Sequence, residues 1–105
     1  MGFLFLGTAK AQSSRPTVPQ GSGFRIMKFF PNPASTYIHF EFQKDFDKTY
    51  ILQIYNFLGK KVADLNQVTP RNQIDVSGFN RGIYIYQLKD LTGKVIDSGK
   101  FQVER

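Results

Sequence analysis

Tyr37-Ile38-His39-Phe40-Glu41-Phe42 alternates without a break, placing Ile38, Phe40 and Phe42 on one side and Tyr37, His39 and Glu41 on the other. A period of two marks a strand with one buried face. Upstream it is bounded by Pro31-Asn32-Pro33. Proline gives a ladder no donor, and the residue before it avoids the helical region, so the preceding run must stop and turn there. In that run Phe24, Ile26 and Lys28 alternate against Arg25 and Met27. Downstream, Gln43 to Thr49 is a charged turn. Its Asp45 and Asp47 have the spacing of the first ligands of a calcium loop but lack that loop's glycine and terminal glutamate.

The same grammar continues to the C-terminus. Tyr50 to Phe57 carries apolar residues on both faces, as expected of a strand in the middle of a sheet. Asn56-Phe57-Leu58-Gly59-Lys60 supplies a hairpin, Lys61 to Leu65 the return strand, and Gln67 to Asn72, with Pro70, a loop. Ile74-Asp75-Val76 is a short strand, followed by turn chemistry around Phe79 from Ser77 to Gly82. Ile83 to Leu88 is β-branched and aromatic, Asp90 to Lys94 a second hairpin with Thr92-Gly93 at its tip, and Val95 to Val103 the last strand, with Gly99 a bulge or kink. Short strands at regular spacing predict an all-β, antiparallel, immunoglobulin-like sandwich of about seven strands. Its expected core is Phe40, Phe42, Leu52, Ile54, Phe79, Tyr84, Tyr86, Leu88 and Phe101.

Composition narrows function by subtraction. The 105 residues contain no cysteine, so disulfides, thiolate nucleophiles and cysteine-bearing zinc sites are excluded. His39 is the single histidine and falls on the polar face, where it reads as solvated or paired across strands rather than catalytic or metal-ligating. No phosphate-binding glycine loop, nucleophile elbow or scaffolded carboxylate pair is present, and no enzyme, cofactor or metal site is expected. The net charge of +6 is scattered through turns, with Lys60-Lys61 the longest basic run, which suits solubility better than nucleic-acid binding.

Residues Met1 to Ala11 are apolar at Phe3 to Leu6 and end in the small-x-small step Ala9-Lys10-Ala11, which predicts a signal peptide over residues 1–11 cleaved before Gln12. Four apolar residues fall far short of the roughly 20 that cross a bilayer, so no stable membrane insertion is expected. Residues 12–23, rich in proline, glycine and serine, read as a flexible linker, and residues 24–105 as the folded domain.

Four pieces then stand in order: Phe30-Pro31-Asn32-Pro33-Ala34, Ile54-Tyr55-Asn56-Phe57-Leu58-Gly59-Lys60, Ile74-Asp75-Val76-Ser77-Gly78-Phe79-Asn80-Arg81-Gly82-Ile83-Tyr84, and Lys100-Phe101-Gln102-Val103. Together, from about Phe24 to Arg105, they resemble the type A C-terminal sorting domain of type IX (Por) secretion substrates of Bacteroidetes. Each piece has a mechanical reading. Pro31 and Pro33 fix φ around Asn32, whose amide can bond its own backbone; Gly59 and Gly82 serve positions awkward for a Cβ; Asp75 to Ser77 satisfies donors at a turn; Tyr84 buries its ring while its hydroxyl finds an acceptor.

The resemblance implies a non-enzymatic secretion address. The chain would enter the periplasm through its signal peptide, be recognised as a folded monomer by the outer-membrane translocon, and lose the domain to a sortase-like protease on reaching the cell surface or medium. Lys94, Lys100, Gln102, Glu104 and Arg105 would carry recognition, with Phe101 and Val103 on the core side of the same strand. Such domains follow a cargo, whereas here only residues 1–23 precede the domain. The rival expectation is a small extracellular module for polysaccharide or a surface protein, stacking its ligand on Tyr37, Tyr55 and Tyr86.

Overall fold

The structure, a computed structural model, describes residues 25–105. The expected signal peptide, the linker and Phe24 lie outside the described residues. Seven strands follow: β1 (Met27–Phe30), β2 (Tyr37–Phe42), β3 (Ile51–Asn56), β4 (Lys61–Leu65), β5 (Arg71–Asp75), β6 (Gly82–Lys89) and β7 (Val95–Val103). All strand pairings are antiparallel, in a three-stranded sheet ordered β1-β2-β5 and a four-stranded sheet ordered β4-β3-β6-β7. The expected two-layer, all-β architecture is what forms.

The core lies where the inner faces meet. Met27, Ile38 and Phe40 from one sheet face Leu52, Ile54, Tyr84, Tyr86, Leu88, Phe101 and Val103 from the other, all buried. Tyr86 is the hub, its ring 5.1 Å from Phe40 and 5.3 Å from Phe29, edge to face in both cases. Burying one such side chain contributes roughly 1.5–3 kcal/mol, and the edge-on geometry adds to it. Phe42 and Phe79, expected in the core, are only half-buried. Phe42 sits at the sheet end against the rings of Phe46 and Tyr50, and Phe79 lies on Tyr84 beside the turn.

Three local features go beyond or against the sequence reading. In β1, where alternation alone left the inward side open, Met27 and Phe29 point inward. The register Met27↔Phe42 and Phe29↔Phe40 sets the phase, and a short strand with apolar residues on both sides takes its phase from its partner. The fifth strand begins at Arg71 rather than Ile74, because Pro70, which cannot donate, accepts from the Phe42 amide at 2.9 Å and so carries the ladder to the edge of the loop. Asn72 is therefore a buried strand residue. Its amide donates to the carbonyls of Phe40 (3.1 Å) and Thr69 (2.8 Å) and its oxygen accepts from the Thr69 N–H (2.9 Å), leaving nothing unpaired.

Gly99 is neither bulge nor kink. It pairs in register with Tyr86, and the register shift in this ladder falls near Leu88 and Lys89. A Cβ built there would lie 2.5 Å from Arg25 Nη2 and 2.8 Å from Tyr86 Cε2, so glycine is required by close approach. What approaches is a buried polar knot. Arg25 Nη2 donates to Tyr86 Oη at 2.9 Å and to the Ser98 carbonyl at 3.2 Å, while buried Asp97 accepts from the Met27 amide at 2.9 Å. Burial, reinforced by the negative charge of Asp97, holds the Tyr86 hydroxyl proton well above the ordinary tyrosine range. The knot ties the start of the described chain to the last strand.

Surface turns repeat one device. Asp47, Asp75 and Asp90 each accept from the amide and hydroxyl of the residue two positions on, Thr49, Ser77 and Thr92, at 2.6–2.9 Å. Bonds from Thr49, Ser77 and Thr92 lower the pKa of Asp47, Asp75 and Asp90 below the usual carboxylate value. A depressed folded-state pKa contributes stability that is present above the unfolded value and lost as pH falls through the folded one.

Two outcomes follow from this packing. Gly99→Ala lowers unfolding free energy by about 1–3 kcal/mol in urea titration, because Tyr86 has no room to retreat. The urea midpoint falls as pH drops below about 4, and replacing Asp47, Asp75 and Asp90 together with asparagine, which keeps the turn-forming oxygen, flattens that slope.

Candidate functional site

The C-terminal end of β7 gathers most of the motif residues. An outer strand leaves every second amide and carbonyl unpaired, and those of Gln102 face away from β6. The Pro-Asn-Pro corner meets them. Asn32 Oδ1 accepts from the Gln102 amide at 2.9 Å, the Ala34 amide donates to the Gln102 carbonyl at 2.8 Å, and the Glu104 amide donates to the Ala34 carbonyl at 2.8 Å. Ala34 and Val103 form a parallel bridge, both fully buried. Asn32 thus bonds the last strand and not its own backbone, as its sequence neighbourhood suggested. Pro31 and Pro33 present it there.

Arg105 completes the closure. Its guanidinium donates to the carbonyls of Ser35 (3.2 Å), Val76 (3.1 Å) and Phe79, joining the corner to the turn after β5. That turn is ordered by the bonds from Ser77 to Asp75, and the positive charge of Arg105 further lowers the Asp75 pKa. Tyr84 packs on Phe101 with ring centroids 5.8 Å apart, while its hydroxyl donates to the Asn80 carbonyl at 2.5 Å. Both Gly59 (φ +88°) and Gly82 (φ +153°) have open space around them, so backbone conformation and not crowding calls for glycine. At the Gly59 hairpin, Asn56 Oδ1 accepts from the amides of Leu58 and Lys60, both at 3.0 Å, which holds Phe57 and Leu58 at the tip.

The five expected recognition residues do not form one cluster. Lys94 belongs to the hairpin at the far end of β7, about 35 Å along the strand from Arg105 at ~3.3 Å per residue. Lys100 and Gln102 share the outer face of β7, and Gln102 Nε2 donates to Glu104 Oε2 at 2.6 Å. Arg105 spends its donors inside the domain. Phe101 and Val103 are buried as expected. The rival aromatic platform is corrected as well: Tyr86 is fully buried, Tyr37 faces outward from β2 in one sheet and Tyr55 from β3 in the other, so the three rings share no surface. His39 lies between Phe30, stacked at 5.1 Å, and Tyr37, edge-on at 5.1 Å. Among the described residues no group of three or more His, Cys, Asp or Glu could hold a metal.

Sequence reading missed Arg25, Asp97 and Asn72, whose partners lie decades of residues away. It placed the turns at Gln43 to Thr49 and Asp90 to Lys94 but not the Asp47 and Asp90 side-chain bonds that order them, although the Asp-x-Thr spacing that announces those bonds was present. Arg105→Ala, which removes three bonds to backbone carbonyls, lowers unfolding free energy by about 1–2 kcal/mol in chemical denaturation, whereas Lys94→Ala leaves it within about 0.5 kcal/mol.

Comparison with known proteins places this geometry. The family described as secretion system C-terminal sorting domain matches residues 28–104. No curated protein matches. Among solved structures, PorZ, titled an essential bacterial surface component of the type IX secretion system of Porphyromonas gingivalis, superposes with a TM-score of 0.63 at 17% identity, covering 82% of this chain and 13% of that one. The chain therefore spans a small part of that protein's length, and the likeness is one of fold. The matched region runs from β1 through the corner, the Asn56–Gly59 hairpin and the Asp75 turn to the sealed end of β7, and with it the chain belongs to the family of secretion system C-terminal sorting domains, the sorting signals of type IX secretion.

Proposed function

We propose that the folded sandwich is the element read by the export machinery, with its outer surface rather than a pocket as the recognition element. Family membership across residues 28–104 carries this reading, because the match covers the whole sandwich and not a terminal tag alone. Export to the cell surface or medium follows from that membership. The periplasmic route through a signal peptide over residues 1–11, and removal of the domain by a sortase-like protease within linker residues 12–23, belong to the proposal.

Within it the five charged and polar positions divide. Lys100, Gln102 and Glu104, at the exposed end of the last strand, make the contact with an outer-membrane component of the machinery; Lys94 adds a second, distant one. Arg105 serves recognition by keeping that end in shape. The role asks this domain to break no bond, so we read it as non-catalytic, without cofactor, and monomeric, in keeping with a net charge of +6 that opposes self-association. It engages no nucleic acid.

Fusing residues 24–105 behind a periplasmic reporter in a Bacteroidetes host with a working type IX system tests the reading. The reporter reaches the medium or cell surface with the domain and remains periplasmic without it; a reporter retained in both cases contradicts the proposal.

A further inference from the structure

The outer face of the four-stranded sheet carries a row that crosses all four strands: Lys61 on β4, Tyr55 on β3, Ile85 on β6 and Lys100 on β7, each in register with the next. The row reads cation, apolar, apolar, cation. Ile83, two residues from Ile85 on the same face, is 42% exposed, Ile85 is 36% exposed, and Phe57 at the hairpin rim is 73% exposed. An antiparallel sheet with one solvated face ordinarily alternates apolar-in and polar-out, and β6 breaks that rule at both isoleucines. Contiguous exposed apolar surface with a polar rim marks an interaction site. The patch is furrowed: a hollow of about 350 Å³ opens between Tyr55, Phe57, Gly59 and Ile85, and another of about 240 Å³ beside Ile83 and Lys100.

Charge selects the occupant. On this face Lys61 is neutralised by Asp64 at 2.9 Å, and Lys89 lies over the Tyr55 ring and donates to its hydroxyl at 3.2 Å. Lys100 has no acidic partner among the described residues. A second copy would set lysine rim on lysine rim at a net charge of +6 per chain, which is repulsive. We infer that this face docks a protein surface of the opposite make, with apolar side chains seated in the hollow beside Tyr55 and over Ile83 and Ile85, and a carboxylate against Lys100. This rests on the reading of the domain as an address, and assigns to that address a face and a partner chemistry. Apolar burial would supply the affinity and the Lys100 contact the orientation.

The test uses the full chain with a reporter placed between residues 23 and 24, in a host with a working type IX system. Export of the parent is the baseline, and its absence defeats the address reading itself. Ile85→Glu and Lys100→Glu each reduce export by about tenfold, as loss of a hot-spot contact does, while Lys100→Arg and Tyr37→Glu on the opposite sheet stay within about twofold. Thermal unfolding of the purified variants, all altered at exposed positions, stays at the parental temperature. A parent that is exported, with Ile85→Glu and Lys100→Glu exported equally well, overturns this inference, and with it the Lys100 contact, while the reading of the domain as an address stands. Photocrosslinking from benzoylphenylalanine in place of Ile85 in exporting cells gives an adduct with an outer-membrane protein of the secretion system, and none from position 37. Adducts only with a second copy or with lipid overturn it.

Discussion

Everything distinctive in this domain depends on the last strand being hydrogen-bonded along both edges. β6 satisfies its inner side through a full ladder, and the corner at Asn32 and Ala34 satisfies its outer side near Gln102. An exposed edge is a template for unwanted pairing, which proteins blunt with charge, proline, a bulge or a covering segment. Here a proline-bracketed turn from the opposite sheet covers it, so the same contacts join the two layers. At the other end, Arg25 bonds the Ser98 carbonyl and the Tyr86 hydroxyl, and Asp97 holds the Met27 amide. The strand nearest the C-terminus thus anchors both the chain leading into the sandwich and the corner that follows β1. Changes at the C-terminus act on the whole fold and not on a dangling tail.

Legibility in the sequence divided along physical lines. Where one face is buried and the other wet, as in Tyr37 to Phe42, period two is unmistakable, and the return strand Lys61–Leu65 and last strand Val95–Val103 fall where glycine-bearing hairpins put them. Where both faces are apolar, as at Ile26 to Phe30, local pattern has two phases and only the partner strand chooses between them. Gly99 was visible as unusual, but its reason lay in Arg25 and Tyr86, which no spacing connects. The motif residues were legible as a set because turns are local chemistry. Their purpose was less so: Asn32 reaches across 70 residues to Gln102, and Arg105 turns inward rather than outward.

A folded address must be stable in transit and recognisable as a shape. Without cysteine, stability comes from ring packing around Tyr86 and from satisfied polar groups such as Asn72 and Asp97. Recognition then falls to what packing leaves outside. The outer face of the larger sheet, with isoleucines at its centre and Lys100 at its margin, contrasts with that of the smaller sheet, where His39 lies between Phe30 and Tyr37 and Glu41 pairs with Lys28. On the smaller sheet the exposed rings and charges contact one another, whereas on the larger sheet Lys100 has no acidic partner among the described residues and stands beside the exposed isoleucines.

Native-state amide exchange on the full chain tests the sealed edge most directly. Because alternate residues of β7 turn outward, the amides of Gln102, Lys100 and Glu104 would all exchange rapidly if the edge were open. The account predicts that Ala34, Gln102 and Glu104 exchange as slowly as core amides of β6, while Lys100, in the gap between the Arg25 and Asn32 contacts, exchanges quickly. Rapid exchange at Ala34, Gln102 and Glu104 alongside a protected β6 would contradict it.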